Sequence, residues 1–128
     1  MVEEIFAQMD FSGEEALYQQ LVNNIILGIA TGTISEGQSL PSVRQMADVI
    51  GMNMHTVNKA YGLLRQQGFV TIDRRHGAVV RVNRDQSLAR QELMDGLSLA
   101  LARCSCRSLT RSEVHELVDL VYDNYEED

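Results

Sequence analysis

Little in this sequence belongs to a membrane, secreted or metal-centred protein. No apolar run approaches the ~20 residues of a membrane span; Leu63-Leu64, for example, is broken at once by Arg65. The N-terminus, Met1-Val2-Glu3-Glu4, is acidic and lacks the basic stretch that opens a signal peptide, so a cytoplasmic location is expected. Cysteine is scarce. Cys104 and Cys106 stand two residues apart, a poor spacing for a structural disulfide and half a metal site at best. Side chains at i and i+2 diverge on a helix, so the pair reads as reduced thiols, with redox or metal sensing as the minor alternative. The histidines at 55, 76 and 115 show no ligand spacing. Glu113, His115 and Glu116 suggest a metal at first sight, but adjacent residues such as His115 and Glu116 diverge on a helix, and the group reads as a solvated acidic face. No nucleophile has a base at a recognisable spacing, and no glycine loop suits a phosphate. Neither an enzyme, a metal nor a cofactor is expected. Internal repeats and low-complexity tracts are missing too.

The 128 residues, 45% of them apolar, suffice for one domain or two small modules. The net charge of -7 conceals a segregation. Residues 1–39 carry six acids and no Lys or Arg. Residues 40–84 carry seven bases (Arg44, Lys59, Arg65, Arg74, Arg75, Arg81, Arg84) against Asp48 and Asp73. Residues 85–128 return to ten acids against four bases. Duplex DNA responds to a local patch, so the basic middle outweighs the acidic average.

Periodicity and punctuation give a coarse element order. Leu17, Leu21, Ile25, Leu27 or Gly28, and Ile29 recur at helical spacing from Ala16 to about Thr31. Ser12-Gly13-Glu14-Glu15 fits a capping box before them, and Gly32 a stop. After Pro41, the sole proline, Ser42-Val43-Arg44-Gln45 opens a second helix that Gly51 breaks, with Val43, Met46, Ala47 and Ile50 inward. Asn53 caps a third helix with Val57, Ala60, Tyr61 and Leu64 inward, ended by Gly68. Phe69–Ile72 and Ala78–Val82 flank Asp73-Arg74-Arg75-His76-Gly77 as a hairpin. Leu88, Leu93, Leu97, Leu101 and Cys104 then suggest a helical stripe, and Thr110–Glu113 caps a last helix. Its apolar register is Val114, Leu117, Val118, Val121, Tyr122 and Tyr125.

Two short helices around a glycine-containing turn, followed by a hairpin, make a winged helix-turn-helix. The fold class is therefore α+β, mainly helical, and double-stranded DNA is the expected partner. The second helix of the pair would enter the major groove by its N-terminal end. Its outward positions are Met54, His55, Thr56, Asn58, Lys59 and Gly62. His55, Thr56 and Asn58 suit bases or phosphates, and Lys59 suits a phosphate. Arg74, Arg75 and His76 at the hairpin tip suit a minor groove or its phosphates.

The residues Leu17-Tyr18-Gln19-Gln20-Leu21, Gly32, Ile34, Gly37 and Leu40-Pro41-Ser42-Val43-Arg44-Gln45-Met46-Ala47 strongly resemble the GntR family of bacterial regulators. The likeness continues through Gly51, Thr56-Val57-Asn58-Lys59-Ala60-Tyr61, Leu64, Gly68 and Gly77, covering roughly residues 14–82. It implies that Ser42 and Arg44 hold phosphate, that Thr56 and Lys59 face DNA, and that Gly77 gives the wing a tight turn. Two positions depart from the pattern. Met54 stands where the family often has arginine or proline, and Arg75 replaces the first wing glycine.

Only about 45 residues follow the wing, too few for the family's large effector domains. The tail resembles the short YtrA-like subfamily, which implies dimerising helices and a repressor of transport or stress functions. Two apolar stripes that cannot bury themselves alone point the same way, to a homodimer about a two-fold axis. The expected organisation is a DNA-binding domain over residues 10–83 and a two-helix dimerisation module over 84–128. Leu93, Leu97, Leu101, Val114, Leu117, Val118, Val121 and Tyr122 are the expected interface. The expected function is a repressor that binds a pseudo-palindromic operator, with any small-molecule effector unidentified. The competing class is a winged-helix protein-interaction module that no longer binds DNA.

Overall fold

The computed structural model describes residues 16–126. The capping box read at Ser12–Glu15 lies outside them. The described chain forms α1 (Leu17–Ala30), α2 (Val43–Ile50), α3 (Met54–Gln66), β1 (Val70–Asp73), β2 (Gly77–Val80), α4 (Gln86–Cys106) and α5 (Arg111–Glu126). It divides into two compact units, the first ending at Asn83 and the second starting at Arg84. This is the mainly helical winged helix-turn-helix, followed by two helices, that the sequence leads one to expect.

Local chemistry sets the helix ends. The Ser42 hydroxyl accepts the Gln45 N–H at 3.1 Å, while the Gln45 side chain accepts the Ser42 N–H at 3.0 Å. Such a box satisfies two donors that the first turn of α2 leaves orphaned. Gly51 closes α2 in the left-handed region, and the Met52 N–H returns to the Ala47 carbonyl. Asn53 then caps α3 by accepting the His55 N–H at 2.7 Å. The start of α1 differs: its N-cap is Ala16, without a side-chain bond.

The core of the first unit gathers one face of each helix and the inner face of the sheet. Leu21, Val22, Ile25, Met46, Val57, Leu64 and Val80 are fully buried. At about 1.5–3 kcal/mol each, these side chains outweigh caps worth about 1 kcal/mol each. Of the two alternatives on α1, Gly28 is buried and Leu27 exposed. The four inward residues expected on α3 are all buried.

β1 and β2 pair antiparallel in the register Val70↔Val80 to Asp73↔Gly77. Strand β2 is shorter than its apolar run, ending at Val80, although the Arg81 N–H still donates to the Phe69 carbonyl at 3.1 Å. The free edge of β2 is paired with the segment before α2. Leu40 N–H donates to the Ala78 carbonyl, Val80 N–H to that of Gln38, and Gly37 N–H to that of Val80, at 2.7–2.9 Å. The wing is thereby tied to the entrance of the helix-turn-helix. The Tyr61 hydroxyl adds a second tie by donating to the Pro41 carbonyl at 2.7 Å. Burial pushes this phenol well above its ordinary pKa, so it remains a donor.

In the second unit, Asp85 caps α4 by accepting the Ser87 N–H, and Thr110 and Glu113 form the expected capping box on α5. Neither helix buries any residue. Leu97, Cys104, Val114 and Tyr125 are half-buried, whereas Leu93, Leu101, Leu117, Val118, Val121 and Tyr122 are exposed. Leu88 leaves the stripe expected of it: at 3.6 residues per turn it lies opposite Leu97, on the side of Leu99. A groove of about 350 Å³ runs along Cys104, Leu109, Val114, Leu117, Val121 and Tyr125. No described helix is long and apolar enough to cross a membrane.

Candidate nucleic-acid interface

Helix α3 has a buried face and an outward one. Val57, Ala60, Tyr61 and Leu64 take the core, which leaves His55, Asn58 and Lys59 exposed on the far side. Thr56 lies on the flank and is half-buried, so it is less available than the other outward residues. At the start of α2, Arg44 is exposed at the second helical position. The Ser42 oxygen accepts one bond from its own capping box. A hydroxyl has a further proton to give. Helix N-termini also carry partial positive charge, so this corner suits a phosphate.

Lys59 does not extend straight into solvent. Its Nζ sits 4.1 Å from the centroid of the Tyr18 ring on α1. An exposed cation–π contact stabilises by about 0.5–1 kcal/mol, little enough for a phosphate to compete. Sequence spacing gave no sign of this contact, since Tyr18 and Lys59 are far apart in the chain. The Tyr61–Pro41 bond was equally hidden; periodicity marks Tyr61 only as inward.

The wing tip is built on Asp73. Pairing of Asp73 with Gly77 leaves a three-residue tip, Arg74 to His76. Such tips need a left-handed residue at their end, and Gly77 supplies it with φ of +69°. Arg75 keeps a negative φ, so the glycine missing there costs the turn nothing. The Asp73 carboxylate accepts the Arg75 N–H at 2.7 Å and lies 3.2 Å from His76 Nδ1. The Arg75 amide, followed by the His76 side chain, holds this carboxyl below its ordinary pKa. Arg74, Arg75 and His76 are all exposed, and the His76 ring is in addition engaged by Asp73.

The pH dependence follows from that direction. A carboxyl with a depressed folded pKa stabilises the tip above its unfolded value, about 3.9, and loses that contribution as pH falls through the folded one. The protection of the Arg75 amide, its exchange taken relative to the intrinsic rate at each pH, should therefore be kept at neutral pH and fall in acid below about pH 4. In Asp73→Ala that protection should be low throughout. Equal protection in both proteins would remove Asp73 as the organiser of the tip.

Among the described residues, no group of three His, Cys, Asp or Glu side chains is placed to hold a metal ion. The site is thus an arrangement of donors and cations at a helix end, a helix face and a hairpin tip.

Comparison with known proteins fits that arrangement. Residues 16–80 match the family described as bacterial regulatory proteins, gntR family. The HTH-type transcriptional repressor YtrA of Bacillus subtilis (strain 168) is 31% identical over 81 residues, 63% of this chain and 62% of that protein. The chain thus matches less than two thirds of that relative's length. A transcriptional antiterminator from Listeria monocytogenes EGD-e superposes with a TM-score of 0.80 over 94% of this chain and 93% of its own. At 24% identity that likeness concerns the fold. The DNA-binding domain of AraR, solved in complex with operator ORX1, is 27% identical with a TM-score of 0.50. It covers 56% of this chain and 93% of its own.

Proposed function

This chain belongs to the GntR family of bacterial regulatory proteins, whose members bind DNA to regulate transcription, and from that premise we propose that it is a cytoplasmic repressor. It occupies a pseudo-palindromic operator as a homodimer. The observation that carries this reading is the outward face of α3, tied through the Tyr61 hydroxyl to the Pro41 carbonyl that leads into the Ser42 and Arg44 corner, with the arginine-bearing wing in the same unit. Helix α3 lies in the major groove, with Asn58 and His55 toward bases and Thr56 at the flank. Ser42, Arg44 and Lys59 hold phosphates, and Arg74, Arg75 and the Gly77 turn follow the adjacent minor groove.

Repression asks only for stable occupancy of a promoter. The likeness to the YtrA repressor supports it, and the resemblance to that short subfamily extends it to a transporter operon. Dimerisation is supported by α4 and α5, which bury nothing by themselves. Leu93, Leu97 and Leu101 on one helix, and Val114, Leu117, Val118, Val121 and Tyr122 on the other, form the contact. Two copies related by a two-fold axis place their recognition helices on half-sites about one helical turn apart.

Selection from a random duplex pool tests the reading, and a palindrome is the expected product. Arg44→Ala should then weaken binding to it and lower the slope of log affinity against log salt by about one. Because Arg44 is exposed, stability should stay within about 0.5 kcal/mol of the parent. Unchanged affinity and slope would take Arg44 out of the interface. Failure to enrich any sequence would favour a protein-docking module instead.

A further inference from the structure

Helix α3 opens on a residue that is odd for a surface meeting DNA. Met54 occupies its first helical position and is 46% exposed. Single exposed apolar side chains are ordinary on protein surfaces, so exposure alone carries no meaning. Its place does. Met54 stands at the end of α3 that leads into the groove, and its side chain has no N–H or O–H to offer. It therefore cannot donate to guanine O6 or N7, the commonest major-groove contact. What it offers instead is a flexible, polarisable apolar surface.

Asn58 follows four residues later, so both side chains share one face of the helix. It is exposed, and among the described residues nothing engages its amide. A side-chain amide matches the N6 donor and N7 acceptor of adenine. Four residues of helix rise about 6 Å, against about 3.4 Å per base step. The two side chains therefore meet base pairs one or two steps apart.

We propose that Met54 and Asn58 together select A·T pairs, Met54 packing on the thymine 5-methyl group and Asn58 pairing with adenine. The proposal rests on the placement of α3 in the major groove argued above. Specificity at this end of the helix then comes from a methyl contact and an amide, and a guanine at the Met54 position is left without a donor.

The test starts from the duplex selected with the parent protein. Each thymine in the half-site is replaced singly by uracil, which keeps the base pair and removes only the methyl group. One such replacement should lower parent affinity about fourfold, the worth of one buried methyl. Met54→Ala should bind both duplexes equally, and Met54→Arg should shift selection toward guanine at that position. Asn58→Ala should lose about 5- to 150-fold at an adenine one or two steps away.

The proposal is overturned if no thymine shows methyl dependence, or if Met54→Ala keeps that dependence. A palindrome with G·C at both positions overturns it while leaving the operator reading intact. A pool from which nothing is enriched overturns the operator reading and this proposal with it.

Discussion

Val121→Asp should separate the proposed dimer and lower operator affinity by a factor on the order of 10²–10⁴, the gain that linking two weak contacts provides. Val121 is 46% exposed in the single chain and lines the groove with Leu117 and Tyr125. Substitution there removes no core contact, so helix content should be unchanged. In the proposed dimer, the two-fold axis brings in two aspartates where two valines stood. An unpaired charge taken out of water costs several kcal/mol, more than the loss of one valine side chain. The two winged units would then bind their half-sites independently. Affinity for an isolated half-site should stay near the parent value, while affinity for the palindrome falls to meet it. Sedimentation equilibrium and binding to full and half operators provide the readouts. A variant that stays dimeric, with unchanged operator affinity, would show that α5 is not the interface.

The parts of this molecule that were legible in the sequence are those fixed by short-range chemistry. Ser42 with Gln45, and Thr110 with Glu113, announce helix starts because a capping box spans four residues and needs no distant partner. The buried face of α3 was legible because Val57, Ala60, Tyr61 and Leu64 repeat at the helical period. Hidden features depend on distant residues meeting. The Gly37–Leu40 segment pairs through its backbone, which leaves no signature in side-chain pattern. Tyr18 and Lys59 meet only once α1 packs on α3. The doubtful choice between Leu27 and Gly28 arose because adjacent residues differ by only about 100° around a helix. On α4 the apolar residues lie on several sides, so a list of leucines suggested a cleaner stripe than the helix has. Arg74, Arg75 and His76 were legible as a basic tip, yet the Asp73 contact that occupies His76 follows from the turn geometry.

Gly68→Ala should be the most damaging alanine substitution among the described glycines of the winged unit. Gly68 joins α3 to β1 with φ of +86°. The left-handed region costs a residue with a Cβ about 1–2 kcal/mol. That Cβ would also stand 3.0 Å from the Cβ of Asn83. Asn83 has little freedom to withdraw, because its N–H donates to the Gly68 carbonyl at 2.7 Å. Together these effects should destabilise the unit by about 2–3 kcal/mol, lowering its Tm by roughly 10–20 °C for a domain of this size. Two controls separate the causes. Gly77→Ala meets the left-handed penalty with no atom within 4 Å, so it should show only the smaller part of the loss. Gly62→Ala, inside α3 at an ordinary φ and also in open space, should raise stability by about 0.5–1 kcal/mol. Thermal unfolding of the three variants should therefore rank Gly62→Ala above the parent, then Gly77→Ala, then Gly68→Ala. Equal losses at Gly68 and Gly77 would mean that Asn83 yields and that backbone conformation alone demands glycine at the junction.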